Sequence, residues 1–186
     1  MIVKVSAKSA RLLFNGCDPL FIASICHSRC CDSPGRPTGM MVTVHPFEQH
    51  RIEKRGGVVA DGFLQPSNGC RGCPFKSLET HLCGLHGSGD KPFGCIASPF
   101  TLNQNDTLIV RNRYKLLPCY KAGRLIPAYR AFSESLSLIF GKTEAERIVE
   151  HLDNDGDDLH AEVMPLAYRM LHDNDDAKHA ITGRAQ

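Results

Sequence analysis

Cys26-His27-Ser28-Arg29-Cys30-Cys31 puts three sulfurs into six residues, and the use made of them decides what kind of fold this chain has. Working outward, the next sulfurs are the Cys70-Arg71-Gly72-Cys73 pair and then Cys83, with His86 close behind it. Six of the nine cysteines sit in these three groups, while Cys17, Cys95 and Cys119 stand apart. Sulfur this dense has two physical explanations. Either the thiols are oxidised into disulfides, or as thiolates they hold a soft metal.

Bulk properties favour the metal. At 186 residues the chain has the length of one domain, and its 42% hydrophobic content without tryptophan predicts an aliphatic and phenylalanine-based core. A domain of this size buries roughly 70% of its unfolded surface, so it does not need disulfides in order to fold. Met1 to Gly16 carries two lysines and an arginine but no apolar stretch of the kind a secretory signal needs. No apolar run approaches the ~20 residues that cross a bilayer. The expected compartment is therefore a reducing cytoplasm, where thiols remain thiols, and nine is an odd number for full pairing. A net charge of +2 and a pI near 8.1 argue against nucleic acid as a partner and leave a protein partner open.

Thiolate sulfur suits zinc and iron–sulfur clusters. Cys70-x-x-Cys73 has the spacing at which two sulfurs bind one ion from a tight turn. In Cys26-x-x-x-Cys30-Cys31 the adjacent sulfurs point in different directions on most backbones. One then serves a metal while its neighbour serves a second metal or the core, which suits a multinuclear centre or two nearby sites. The candidate metal ligands are Cys17, Cys26, Cys30, Cys31, Cys70, Cys73, Cys83 and Cys95, with His86 and Cys119 as further candidates and His27 and His81 as mixed ligands. For Cys17 and Cys119 the competing reading is a small buried hydrophobe. The cofactor expected is an iron–sulfur cluster of the four-iron type, or zinc, with the number of sulfurs tilting the choice toward the cluster.

The fold class expected is α+β: an irregular, metal-stapled, cysteine-rich core with short strands, followed by a C-terminal helical segment. Residues 1–126 form the cysteine-cluster domain, 127–173 a helical extension packed on it, and 174–186 a tail. Strands are expected at Ile2–Val5, Met40–Val44 and Thr107–Arg111, with a hairpin turn at Asp61-Gly62 between Val58–Val59 and Phe63–Leu64. A helix is expected from Phe47 to Arg55, bounded by Gly56. Past Pro127, the spacing of Phe132, Leu136, Ile139 and Phe140 predicts a helix ending at Gly141. Thr143-Glu144-Ala145-Glu146 reads as a capping box opening a second helix, and residues 160–172 as a third.

The ordered set Cys26-x3-Cys30-Cys31, Cys73-x9-Cys83-x-Leu85-His86, Lys91-Pro92-x-x-Cys95-x-x-Ser98-Pro99 resembles the bacterial zinc- or iron-chelating cysteine-cluster family, the YkgJ-like group that includes flagellin lysine methylases. The resemblance runs over about residues 17–120 and includes Pro46-Phe47-Glu48-Gln49-His50-Arg51-Ile52 between the two cysteine blocks; Ile96 stands where the family usually has arginine. It implies a bound metal on a small α+β domain with a structural or redox role. A metal-dependent protein-modifying enzyme, such as a lysine N-methylase-like methyltransferase, is the alternative it also implies. A zinc-ribbon-like nucleic-acid binder, based on Cys70-x-x-Cys73 and scattered basic residues, is the third reading.

Two other features carry less. Residues 151–162 imitate a calcium loop, but His151 occupies its first position and Asp158 its eighth, so an acidic helix connection is the better reading. Arg51, Lys54, Arg55, Arg111, Arg113, Lys115, Lys121 and Arg124 read as a solvated surface. No P-loop, dinucleotide fingerprint or nucleophile elbow is present.

Overall fold

A strand of alternating burial, β1 (Ile2–Val5), opens the chain, with Val3 and Val5 facing the core. The computed structural model describes residues 1–32, 42–66 and 72–172; Cys70, the Met40 end of the expected Met40–Val44 strand and the 174–186 tail lie outside them. After β1 come α1 (Ala7–Ala10), β2 (Leu13–Phe14) and α2 (Pro19–Phe21). Then follow α3 (Pro46–Lys54), β3 (Val59–Ala60), β4 (Phe63–Leu64), α4 (Phe93–Ile96), β5 (Phe100–Leu102) and β6 (Thr107–Val110). The chain continues through β7 (Ile126–Pro127), α5 (Ala128–Ala131), α6 (Ser133–Phe140), α7 (Lys142–Asp153) and β8 (Leu159–Glu162) to a helical stretch at 165–172. The fold is α+β.

The main sheet has the order β5-β6-β1-β8. β1 runs parallel to β6, with Lys4 opposite Thr107, and antiparallel to β8, with Val3 opposite Ala161. The sheet therefore draws on both sides of residue 126. Its buried face, α6 (Leu136, Ile139, Phe140), α7 (Ala145, Ile148, Leu152) and Ala167, Met170 and Leu171 make one apolar core. Arg11 ties the N-terminal region to this core, donating from Nη2 to the carbonyls of Leu152 and Gly156 at 3.0 and 2.8 Å.

Three expectations for the C-terminal part need correction. Residues 159–162 are a strand, because Leu159, Ala161 and then Val163 alternate inward with a period of two. The last helix starts only at Pro165, a residue suited to a first helical turn because its missing N–H costs nothing there. The Thr143 capping box does not form. The helical ladder begins two residues earlier, with the Ala145 N–H on the Gly141 carbonyl, and Gly141 supplies the junction between α6 and α7 at φ +79°. Finally, the helix expected around Phe132 is two helices, interrupted where Phe132 takes φ −127° and ψ 42°.

A second, smaller core gathers Val42, Val44, Ile52, Leu64, Cys73 and Leu85, with Cys31, Val59, Phe75, Cys83 and Cys95 packed against it. The β3–β4 hairpin closes one side, turning at Asp61 and Gly62 with φ of 51° and 76°, the geometry the Asp-Gly pair favours. The end of α3 sits close to the cysteine loop. A Cβ on Gly57 would lie 2.8 Å from Ile52 Cγ2 and 2.8 Å from Phe75 Cζ, so only glycine fits that approach.

Candidate metal centre

Asp18 starts the first cysteine segment by accepting the Phe21 N–H at 3.0 Å, with Pro19 in the first helical position. The chain then widens into a π-helical turn, Ile22–Cys26, whose end carries His27 and Ser28 in the left-handed region at φ 51° and 46°. Two consecutive non-glycine residues there are uncommon, and they turn the chain back so that a 3₁₀ turn, Arg29–Cys31, follows at once. Cys26 is buried, and Cys30 and Cys31 are half-buried with their sulfurs 4.0 Å apart.

The second cysteine segment docks on this turn through its backbone. Cys73 donates its N–H to the Cys31 carbonyl at 3.1 Å, and Asp32 pairs with Gly72 as an isolated bridge. Lys76 holds the same join, donating from Nζ to both Asp32 carboxylate oxygens at 2.8 and 3.0 Å. Lys76 also pairs with Cys83, and the Gly84 N–H reaches the Phe75 carbonyl at 2.8 Å. Residues 73–84 thus form a closed loop with a cysteine near each end.

Cys95 is placed by α4, and α4 is placed by α3. Glu48, 1% exposed, accepts the Phe93 N–H at 2.8 Å on Oε1 and the His45 N–H at 3.2 Å on Oε2, while Arg51 donates to Oε1 at 2.6 Å. The Ser135 hydroxyl of α6 donates to the Ile96 carbonyl at 2.6 Å, fixing the other side of α4. Cys119 arrives from elsewhere, its carbonyl accepting the Asn15 N–H at 2.8 Å beside β2.

These segments bring the cysteines into one neighbourhood. Cys30 lies within electrostatic reach of Cys17, Cys26, Cys31, Cys73, Cys95 and Cys119. Cys73, Cys83 and Cys95 influence one another, and Lys91 sits within reach of Cys17, Cys30 and Cys95. All eight described cysteines are free thiols. Six of them pack on the two cores: Cys30 and Cys119 on the larger, and Cys31, Cys73, Cys83 and Cys95 on the smaller.

Burial sets their acidity. It pushes the Cys95 thiol up to about 12 against the pull of Lys91, and it raises Cys73 as well. Cys26 and Cys119 share a hydrogen bond that stabilises a thiolate on Cys26 and lifts its partner, with the Arg29 and Ser28 N–H groups also favouring the Cys26 anion. Crowded thiolates without a cation repel one another. A bound metal reverses that balance, since coordination deprotonates the thiol outright.

As placed, no three His, Cys, Asp or Glu side chains among the described residues are positioned to hold one metal ion. The free thiols are soft donors, the chemical kind that zinc and iron–sulfur clusters take. His27 and His81 stack on each other with ring centroids 4.4 Å apart beside Cys26 and Cys83, and His86 is exposed. Spacing alone did not reveal the roles of Glu48, Lys76 and Ser135. Each acts by reaching a distant backbone or carboxylate, and no local motif announces that. Asp158 of the acidic connection accepts the Ala7 N–H at 2.9 Å, while Arg51 and Arg55 pair with Glu48 and Asp90.

No helix among the described residues is long and apolar enough to cross a membrane. No protein-family model, curated protein or solved structure matches this chain.

Proposed function

We propose that this chain is a metal-binding cysteine-cluster protein, of the kind its resemblance to the zinc- or iron-chelating family implies, whose iron–sulfur cluster or zinc has a structural or redox role in a reducing cytoplasm. The observation that carries the reading is the convergence of free thiols from four separate stretches, residues 17–31, 73–83, 95 and 119, around Cys30. Bound there, the metal supplies strong sulfur bonds between these stretches and, if it is a cluster, one-electron chemistry.

The chain's own residues prepare that role. Lys91 places a positive charge beside Cys17, Cys30 and Cys95, which favours their anionic form. Glu48 and Ser135 hold α4 from both sides, and Lys76 with Asp32 holds the 73–84 loop against the Cys31 turn. The small core has six buried members, one of them Cys73, so it has little apolar surface of its own to close these loops. Metal binding to a site absent from the unfolded chain adds its free energy to folding, on the order of 10 kcal/mol for structural zinc peptides.

Anaerobic purification with elemental analysis for iron, zinc and acid-labile sulfide tests the reading. Near-stoichiometric iron with sulfide, or zinc, is the expected result. Protein that arrives without metal and takes up neither zinc nor iron with sulfide overturns it. Cys73→Ser is expected to lower hydrogen-exchange protection over residues 17–100 while the C-terminal helices stay protected.

A further inference from the structure

We propose that Cys30 and Cys31 are a vicinal dithiol that hydrogen peroxide oxidises to a disulfide between adjacent residues, and that closing this bond releases the 73–84 loop from the turn it docks on. The proposal stands on the doublet itself and needs no bound metal.

Proximity is the first support. The two sulfurs lie 4.0 Å apart in hydrogen-bond contact, so side-chain rotation brings them together over about 2 Å to reach the roughly 2.05 Å of a disulfide. Both residues are half-buried, which leaves them open to an oxidant as small as peroxide. Cys30 packs on the large core and Cys31 on the small one, so turning toward each other changes the packing of both.

The step balances within the doublet and its oxidant. One sulfur, as thiolate, attacks a peroxide oxygen; the O–O bond breaks, hydroxide leaves and a sulfenic acid remains. The neighbouring thiol then attacks that sulfur. An S–S bond forms, the S–O bond breaks, and the thiol proton leaves with the oxygen as water. The two sulfurs together lose two electrons, and the peroxide takes them.

Ring closure reaches the backbone. A trans peptide holds adjacent Cα atoms about 3.8 Å apart, whereas disulfide partners usually stand about 4.4 Å apart or more. The small ring therefore strains the Cys30–Cys31 peptide, whose N–H donates to the Ser28 carbonyl at 2.8 Å within the 3₁₀ turn. The next carbonyl, that of Cys31, accepts the Cys73 N–H at 3.1 Å, and Asp32 beside it pairs with Gly72 and Lys76. Distortion of the turn thus falls on the contacts that hold the 73–84 loop. The same strain makes the bond easy to reduce, so a thiol reductant restores the dithiol and the docked loop.

Full-length protein, purified anaerobically and held in chelator, is treated with equimolar hydrogen peroxide, alkylated and cut with trypsin. Cleavage after Arg29 and Arg51 yields a fragment containing Cys30 and Cys31 and no other cysteine. The expected result is this fragment unalkylated and lighter by two hydrogens than its dithiol form, with alkylation restored by dithiothreitol. Amide exchange over residues 73–84 is expected to quicken several-fold on oxidation of the wild type and to stay unchanged in Cys30→Ser, where the ring cannot close. A fragment alkylated at both cysteines, carrying sulfinic acid, or linked to a fragment that holds Cys26 or Cys73 overturns the site. A closed doublet with unchanged exchange, or equal quickening in both proteins, overturns the release of the loop. The fragment mass is read on wild type alone, so it decides the site even where Cys30→Ser fails to fold. Protein that binds iron or zinc but closes no such bond loses this inference and keeps the metal reading; closure in protein that takes up neither metal does the reverse.

Discussion

The two cores of this molecule are built on different physics. The larger is an ordinary apolar core, in which β1, β6 and β8 of one sheet meet α6 and α7 through side chains such as Leu136, Ile139, Ile148 and Val163, all exposed by 1% or less. The smaller holds only a handful of apolar residues among loops, turns and thiols, and its joins are polar: Glu48 to α4, Lys76 to Asp32, the Cys31 backbone to Cys73. Area burial explains the first, because roughly 25 cal/mol is gained per Å² of apolar surface removed from water. It contributes less to the second, where buried apolar residues are few and thiols pack among them.

Metal removal should separate the two regions most sharply. Chelation under anaerobic conditions is expected to remove on the order of 10 kcal/mol from the cysteine region. Hydrogen exchange should then quicken across residues 17–32 and 72–96 while 2–5, 107–110 and 145–163 keep their protection. Equal loss in both regions would break the comparison. The converse test is Ile148→Ala, which empties a fully buried position of the large core and should cost about 3 kcal/mol of global stability. Thermal unfolding measures that cost, and elemental analysis should find the metal content of the folded variant unchanged.

A smaller effect is expected at the clamp. Glu48→Ala leaves the buried Phe93 and His45 N–H groups without their acceptor and should cost about 2 kcal/mol. The lost protection should be centred on Phe93–Ile96 rather than spread through the sheet. The least effect is expected on the outside of the large core. Hydrogen bonds from Arg130 and then Tyr129 hold the Asp153 carboxyl below its ordinary value. A lowered carboxylate contributes stability above its unfolded pKa and loses it as the pH falls through the folded one. The melting temperature of wild type should therefore exceed that of Asp153→Asn slightly at neutral pH, with the gap closing in acid. The pair is partly exposed, so the gap is small.

Short-range chemistry was legible along the chain. Ile2–Val5 and Thr107–Val110 alternate or cluster as strands do, Asp61-Gly62 supplies the two left-handed residues of its hairpin, and Pro46–Lys54 falls within a residue of its expected bounds. The misreadings arose where a local pattern had a competitor. Leu159 to Val163 satisfies a period of two as well as a helical one, and the exposed backbone edge of β1 settled the choice by pairing with it. Thr143 could have capped a helix, but Gly141 offered an earlier start.

By itself the sequence determined that sulfur is concentrated between residues 17 and 119 and that aliphatic helices and strands supply much of the rest, since both follow from residue type and spacing. Only the tertiary structure brought Cys17 and Cys119, isolated in sequence, within electrostatic reach of Cys26 and Cys30, and packed Cys30 on one core and Cys31 on the other. The reason is that a thiol's neighbours are set by how distant backbone segments dock. That docking depends on single contacts such as Glu48 to Phe93 and Cys31 to Cys73, which leave no periodic trace in the chain.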